Sequence, residues 1–439
     1  MRGATAVASV EPAGVVQPAK PKARYEYRTE PHHIMSAIIL GILIIAAGLP
    51  ALLVMVFVVE VLAAVLERPA DKALPSPDTP RGTVAVLIPA HNEGTALQPT
   101  IEDLKAQLAP GDRLLVVADN CIDGTAAVAR VAGAEVLERH DAGRRGKGYA
   151  LDFGLKHLSS SPPDLVIIID ADCRVAAGAI DQLARACVRT QRPIQALDLM
   201  IAPVGSAADY QVATFAWRVK NWVRPLGLQA LGLPCQLMGT GMAFPWTAIR
   251  KAELASGHIV EDLKLGLELA RAGHAPLFCP LAIITSEFPS TAVGAESQRQ
   301  RWEGGHLSMV ASVAIPLIFT ATVHRNRDLL VLALDMAVPP LTFLAFSSAG
   351  AFVLAGLALI AGLSLIPLVI SATSLAALFI TILLCWLKFG RDLLPIEALG
   401  RLGPFFLSKI RLYREILGGR THSQWTRADR RASETEGDE

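Results

Sequence analysis

The sequence predicts an α/β fold: a mostly parallel sheet with helices on both faces, set between transmembrane helices at both ends of the chain. Three observations predict it. From Thr83 to about residue 300, short apolar runs alternate with segments of helical periodicity, the pattern of repeated βαβ units. Within that region Leu165-Val166-Ile167-Ile168-Ile169 is β-branched and uninterrupted, as in a strand buried on both faces. Apolar stretches long enough to cross a bilayer lie on either side of it.

Bulk composition narrows the function classes. The chain has 439 residues, room for a catalytic domain and membrane segments together. A formal net charge of +1 gives no electrostatic ground for a nucleic-acid partner. Hydrophobic content of 52% is high for a soluble protein, and the mean hydropathy is positive. The six cysteines (Cys121, Cys173, Cys187, Cys235, Cys279 and Cys385) form no Cys-x-x-Cys pair or regular framework. They are expected to be reduced, mostly core residues in a reducing compartment. The first apolar stretch begins too far in, and runs too long, for a signal peptide.

Taken in order, residues 1–34 are rich in Ala, Pro and charge without periodicity, a disordered tail. Met35 to Leu66 is apolar except for Glu60. At about 1.5 Å per residue this gives one transmembrane helix over 35–66, kinked at Gly48-Leu49-Pro50. Residues 67–82 carry Pro69, Pro75, Pro77 and Pro80, a linker. Residues 83–305 form the sheet domain. Val84 to Ile88 and Leu114 to Val117 are buried strands; Leu97, Ile101, Leu104 and Leu108 share one helical face. A helix starts at about Thr125, Leu151, Leu155 and Leu158 line another, and Ile180, Leu183, Ala184 and Cys187 a further one.

Beyond the domain, residues 306–328 form an interfacial segment: Leu307 to Val323 is apolar but short, and His324-Arg325-Asn326-Arg327-Asp328 interrupts it. Residues 329–388 hold two transmembrane helices, the first kinked at Pro339-Pro340, with a turn between Gly362 and Pro367. Residues 389–439 are an interfacial helix and a basic tail, with Phe405, Phe406, Leu407, Ile410 and Leu412 set among basic residues. Lys20, Lys22, Arg24 and Arg28 favour a cytoplasmic amino terminus. A single crossing would then put the sheet domain outside. Two spans in about 32 residues would each be too short, so the single crossing is preferred, with the tail outside despite its charge.

The strand ends carry the chemistry. Asp170 and Asp172 follow the central strand. Side chains two apart in an extended chain point the same way, so both carboxylates leave together, where open α/β sheets bind ligands. Paired acid oxygens suit Mg²⁺ or Mn²⁺ bridging to a phosphate. Ile88-Pro89-Ala90-His91-Asn92-Glu93 ends the first strand and Ala118-Asp119-Asn120-Cys121 the second. Asp119 is placed to accept from a base N–H, and Asp123 to cap the next helix. In Gly143-Arg144-Arg145-Gly146-Lys147-Gly148 the glycines let backbone approach an anion and the cations offset its charge.

Together with three later motifs, these residues resemble glycosyltransferase family 2, the inverting enzymes of the GT-A fold, over about residues 83–305. The later motifs are Gly239-Thr240-Gly241-Met242, Val260-Glu261-Asp262 and Gln298-Arg299-Gln300-Arg301-Trp302. The last matches the family's Gln-x-x-Arg-Trp signature in full. The resemblance implies that Glu93, Asp119 and Lys147 hold the nucleotide with help from Asp170, and that Asp172 binds the metal. It makes Asp262 the catalytic base and Arg301 a stabiliser of the leaving diphosphate. Gly241, Gln298 and Trp302 would lie at the acceptor. Asp262 opens a predicted helix, whose amino terminus favours the charged form a base needs. Asn120 stands where the family often has another Asp.

The resulting expectation is a membrane-anchored transferase of the synthase-like branch. It would move a sugar from a nucleotide diphosphate sugar, a UDP-sugar by preference, to a growing polysaccharide or lipid-linked acceptor. The cofactor would be Mg²⁺ or Mn²⁺, and the partners membrane lipid and polysaccharide-export proteins. The catalytic domain would lie on the cytoplasmic face of the inner (plasma) membrane. The alternatives are single addition to a membrane lipid, and a catalytically silent nucleotide-sugar-binding regulator. Trp217 and Trp222 are expected in the core or an interface, and His91, His258 and His274 in structural roles. Asp335 is a functional candidate by position. Trp425-Thr426-Arg427-Ala428-Asp429-Arg430 loosely resembles the segment that closes over the site in membrane-bound synthases of the family; a basic tail drawn to lipid headgroups explains it nearly as well.

Overall fold

A computed structural model of the chain describes residues 31–67, 80–203, 208–255, 261–289, 291–396 and 402–418. Most of the expected amino-terminal tail, most of the proline-rich linker, His258 and the Trp425–Arg430 segment lie outside these residues. The first helix, α1 (Pro31–Leu66), starts four residues before the expected boundary and runs on through Pro50.

The sheet domain then alternates as its sequence demands. β1 (Val84–Ala90) leads to α2 (Gln98–Lys105), β2 (Arg113–Asp119) to α3 (Thr125–Val131), and β3 (Glu135–Arg139) to α4 (Lys147–Leu158). β4 (Leu165–Ile168) and the two-residue β5 (Arg174–Val175) precede α5 (Ala179–Thr190) and β6 (Ile194–Ile201). The chain next forms α6 (Ala208–Arg218), a π-helical turn at Val219–Val223, and α7 (Arg224–Ala230). β7 (Met242–Pro245), α8 (Trp246–Ile249), α9 (Glu261–Arg271) and β8 (Leu277–Glu287) complete it.

The eight strands lie in the order β3-β2-β1-β4-β7-β6-β8-β5. β1 is parallel to β2 and β4, β2 to β3, and β6 to β8. β7 runs antiparallel to β4 and β6, and β5 antiparallel to β8. The sheet is thus parallel in its first half and mixed in its second. The reversal has a consequence for the site: Met242 pairs with Ile168, so the loop entering β7 lies beside the residues leaving β4. Both faces are buried. Val84, Val86 and Ile88 pack with Leu97, Ile101 and Leu104, whereas Ala85 and Leu87 pack with Leu151, Leu155 and Leu158, the alternation expected of a strand. All six cysteines are free thiols, and only Cys121 is not buried.

The later helices depart from expectation in two places. α10 (Ala292–Met309) continues through a π turn at Val310–Ala314 into α11 (Ile315–Val323), so the expected interfacial segment is an extension of the helix bearing Arg301 and Trp302. Pro339-Pro340 ends a helix where a kink was expected, because proline lacks the N–H that would continue it. The chain stops at α12 (Arg327–Ala337) and restarts as α13 (Leu341–Ile360), before α14 (Ile366–Phe389) and α15 (Leu402–Leu417). Among the described residues four helices, not three, are long and apolar enough to cross a membrane, by length and composition: Met35–Leu66, Glu296–Val323, Leu341–Ile360 and Ile366–Phe389.

α1 packs on α14, α13 and α7. Its crossing with α7 depends on Gly227, where a Cβ would sit 1.8 Å from the carbonyl oxygen of Glu60. Backbone cannot yield as a side chain does, so Gly227→Ala is expected to destabilise the protein by about 1–3 kcal/mol or more. A thermal midpoint equal to that of the unsubstituted chain would refute this close contact.

Candidate active site

Every central side chain of the site leaves the carboxyl edge of the sheet or a helix facing it. After β4, Thr100 Oγ1 donates to the carbonyls of Ala171 and Cys173 at 2.8 and 2.7 Å. The N–H of Asp170 donates to Thr240 Oγ1 at 3.0 Å. These bonds fix the turn that presents Asp170 and Asp172. Gly146, at φ +134°, turns the chain into α4 so that Lys147 stands at its first position. The Lys147 ammonium pairs with Asp170 and donates to the carbonyl of Gly239 at 2.7 Å. Burial opposes that charge, but the carboxylates of Asp170, Glu261 and Asp262 outweigh it and raise the lysine pKa.

Glu261 and Asp262 form the first turn of α9. Asp262 Oδ1 accepts from the N–H of Leu263 at 2.8 Å. A Cβ on Gly239 would lie 3.5 Å from Asp262 Oδ2 and 3.8 Å from Lys147 Nζ, so both groups lie close to this glycine. Burial raises the pKa of Asp262 and pushes Glu261 up to about 7. From α10, Trp302 stacks obliquely on Trp217, with ring centroids 4.6 Å apart and planes at 42°.

Lys147, Asp170, Asp172, Asp262, Arg301 and Trp302 line one cavity of about 250 Å³. The other four expected site residues are not on its wall. Glu93 is in the loop after β1, its N–H donating to Thr125 Oγ1 at 2.8 Å. Asp119 is buried, with one carboxylate oxygen held by Arg139 at 2.6 Å and by the Asn120 amide at 3.0 Å. Gln298 is only 2% exposed. Gly241 is a packing residue: at φ +67° a Cβ there would meet Ala196 and Ile284 at 2.6 and 2.7 Å. Asn120, the departure from the family pattern, is accounted for locally. At φ +53° it donates to Asp119 while its oxygen accepts from the N–H of Asp141 at 2.8 Å. An ionised aspartate would lack the donor.

Other residues on the wall were not identified from sequence. Asp198 is 3% exposed and its Oδ2 accepts from Asn221 Nδ2 at 3.0 Å. Burial, then the charge of Asp170, pushes Asp198 up to about 7. Its other oxygen and the Asn221 amide oxygen have no hydrogen-bond partner among the described residues. Lys220 is exposed, with its ammonium 5.4 Å from the centroid of the Trp217 ring. Trp217, expected in the core or an interface, is on this wall, whereas Trp222 packs against Phe389. The available signal was the one used for Asp119 and Asp170: Ile194-Gln195-Ala196-Leu197-Asp198 is a mostly apolar run that reaches an acid.

Among the described residues no group of three His, Cys, Asp or Glu side chains has the arrangement of a metal site. The family model described as "Glycosyltransferase like family 2" matches residues 80–305. The "Probable glycosyltransferase YdaM" of Bacillus subtilis is 27% identical over 250 residues, 52% of this chain. The match spans 56% of that relative's length, little more than half. "Protein RfbJ" of Shigella flexneri is 30% identical over 108 residues, 25% of this chain and 78% of that one. Among solved structures, the mannosyltransferase PcManGT from Pyrobaculum calidifontis in complex with GDP-Man and Mn2+ aligns with a TM-score of 0.48 at 17% identity, covering 77% of this chain and 99% of that chain.

Proposed function

Because the chain belongs to glycosyltransferase-like family 2, we propose that it is a membrane-anchored inverting glycosyltransferase acting on a nucleotide diphosphate sugar, by preference a UDP-sugar. Its acceptor would be a polysaccharide or a lipid-linked molecule, and its sheet domain would lie on the cytoplasmic face of the plasma membrane. The observation that carries this reading is the meeting of an acid pair, a half-buried lysine, a second acid pair, an arginine and a tryptophan on one cavity wall.

In this reading Asp262 takes the proton from an acceptor hydroxyl as that oxygen bonds to the anomeric carbon from the face opposite the diphosphate. The bond from that carbon to the diphosphate oxygen breaks, and configuration inverts. Lys147 and Arg301 offset the charge that builds on the departing group. Asp170 holds Lys147 in place. Trp302, backed by Trp217, offers a ring face to an acceptor sugar.

The donor set fits a hard divalent cation. Asp170 and Asp172 bring carboxylate oxygens to the same cavity, and Mg²⁺ sites commonly use one or two carboxylates and take the rest from water and substrate phosphate. Such an ion at Asp172 would supply further positive charge to the leaving diphosphate.

Thermal unfolding of the full chain in detergent, with UDP-glucose, UDP-N-acetylglucosamine, UDP-galactose or GDP-mannose and with Mn²⁺ or Mg²⁺, tests this. One donor at about 100 times its dissociation constant is expected to add about 2.7 kcal/mol of stability. Asp172→Asn should remove the cation-dependent part of that shift. If no donor raises the midpoint and no labelled sugar is transferred, the proposal fails. Donor binding without turnover would favour a regulator.

A further inference from the structure

We propose that a second cavity, of about 130 Å³, receives the hydrocarbon chain of an amphiphilic acceptor. The acceptor is then a lipid and not a free glycan. This rests on the transferase reading above and narrows its acceptor class.

The cavity is bounded by Phe57 of α1, Ala213 and Ala216 of α6, Phe288, and Leu341 and Leu344 of α13. α1 and α13 are two of the helices suited to cross a membrane. Trp217, Lys220, Arg224, Trp302 and His306 are common to this wall and that of the catalytic cavity. The stacked pair Trp217–Trp302 therefore stands between a polar chamber and an apolar one. A hydroxyl head presented to Asp262 and a chain passing these rings would occupy both.

The lining selects the occupant. A glycan strand needs a partner for each hydroxyl, because a buried polar group left unbonded is costly. Here the apolar side chains supply none, and much of the charge on the wall is engaged. Arg224 is held by Glu60 and Asp335 at 2.6 and 2.5 Å, and Lys409 pairs with Glu303. A hydrocarbon chain needs no such partners and gains from leaving water. The room is close to that of a cavity of about 150 Å³ that holds benzene, so roughly six carbons fit before a chain must continue among the helices.

The test uses the full chain in lipid nanodiscs and short n-alkyl β-glucosides, from methyl to octyl, below their micelle concentrations. Binding is read as quenching of tryptophan emission by ω-bromoalkyl glucosides, which needs no turnover. Affinity is expected to rise by roughly fourfold per methylene up to about six carbons and then to level off. Ala213→Phe, and independently Leu341→Tyr from α13, should fill the cavity and abolish that dependence. Both should leave UDP-sugar binding and slow donor hydrolysis unchanged.

Quenching that grows with chain length and is lost in both variants supports the inference, even if no sugar is transferred; in that case the transferase reading alone fails. Affinity independent of chain length, or an unchanged slope in both variants, overturns it. So does preferential binding of β-linked oligosaccharides over alkyl glucosides of equal length.

Discussion

Asp262→Asn is expected to lower transfer by about 10²–10⁴-fold, the usual contribution of a positioned general base, while donor affinity stays within a few-fold. The substitution keeps the shape of the side chain and the oxygen that accepts from Leu263. What it removes is the capacity to take a proton at Oδ2, the oxygen facing the Gly239–Lys147 side of the cavity. The pH profile separates this role from a structural one. Burial raises the pKa of Asp262, and its neighbour Glu261 is pushed up to about 7. A base works when deprotonated, so kcat/KM should fall as the pH drops through the raised value. The acid limb then lies above the ordinary aspartate range of about 4. In Asp262→Asn the residual rate should lose that limb. Equal, non-zero transfer by the variant and the unsubstituted chain would remove Asp262 from the chemistry.

Much of this site was legible before any coordinates because its parts are local. A buried run ending in Asp170-Ala171-Asp172, a glycine–cation loop ending in Lys147, and acids opening a helix each announce a strand end or helix start. The sheet then gathers such ends on one edge. What was not legible depends on neighbours remote in the chain. The sequence places Gly241 in a loop at the acceptor; its left-handed backbone and the lack of room for a Cβ beside Ala196 and Ile284 are set by strands on both sides of it. Gln298 sits one turn before Arg301 and Trp302; spacing gives the helical period but not which turn the domain covers. Lys220 and Asn221 reach the cavity from a π-helical turn, whose additional residue shifts the register that a 3.6-residue period predicts. Pro339-Pro340 predicts a kink where the helix in fact ends, because composition alone does not say whether a helix resumes in the same direction.

The charges inside the apolar runs have no partner visible in the sequence, yet the fold pairs them. Arg224→Leu is expected to destabilise the protein by about 3–5 kcal/mol, the range for removing one member of a buried ion pair. Glu60 interrupts the first apolar stretch and Asp335 is the lone acid of a later one; in sequence neither has a visible partner. In the fold both bind Arg224. Nε donates to Glu60 Oε2 at 2.6 Å, and Nη2 to the Asp335 carboxylate at 2.5 Å and to its backbone carbonyl at 2.7 Å. Glu60, Arg224 and Asp335 are 2%, 7% and 8% exposed, so water does little to screen them. Taking away the cation leaves two carboxylates facing each other between α1, α7 and α12. The cost should therefore come from the orphaned acids more than from the lost attraction. The triple variant Glu60→Leu, Arg224→Leu, Asp335→Leu should then regain most of the stability lost in Arg224→Leu, since apolar replacements of whole buried ion clusters are often tolerated. Because Arg224 and Asp335 also line the catalytic cavity, the triad ties the amino-terminal helix to the site. The single variant should therefore lose UDP-sugar binding along with its thermal midpoint in detergent. A triple variant as unstable as the single one would mean that the attraction, not the orphaned charge, sets the cost; a single variant unfolding at the midpoint of the unsubstituted chain would leave the triad without a structural role.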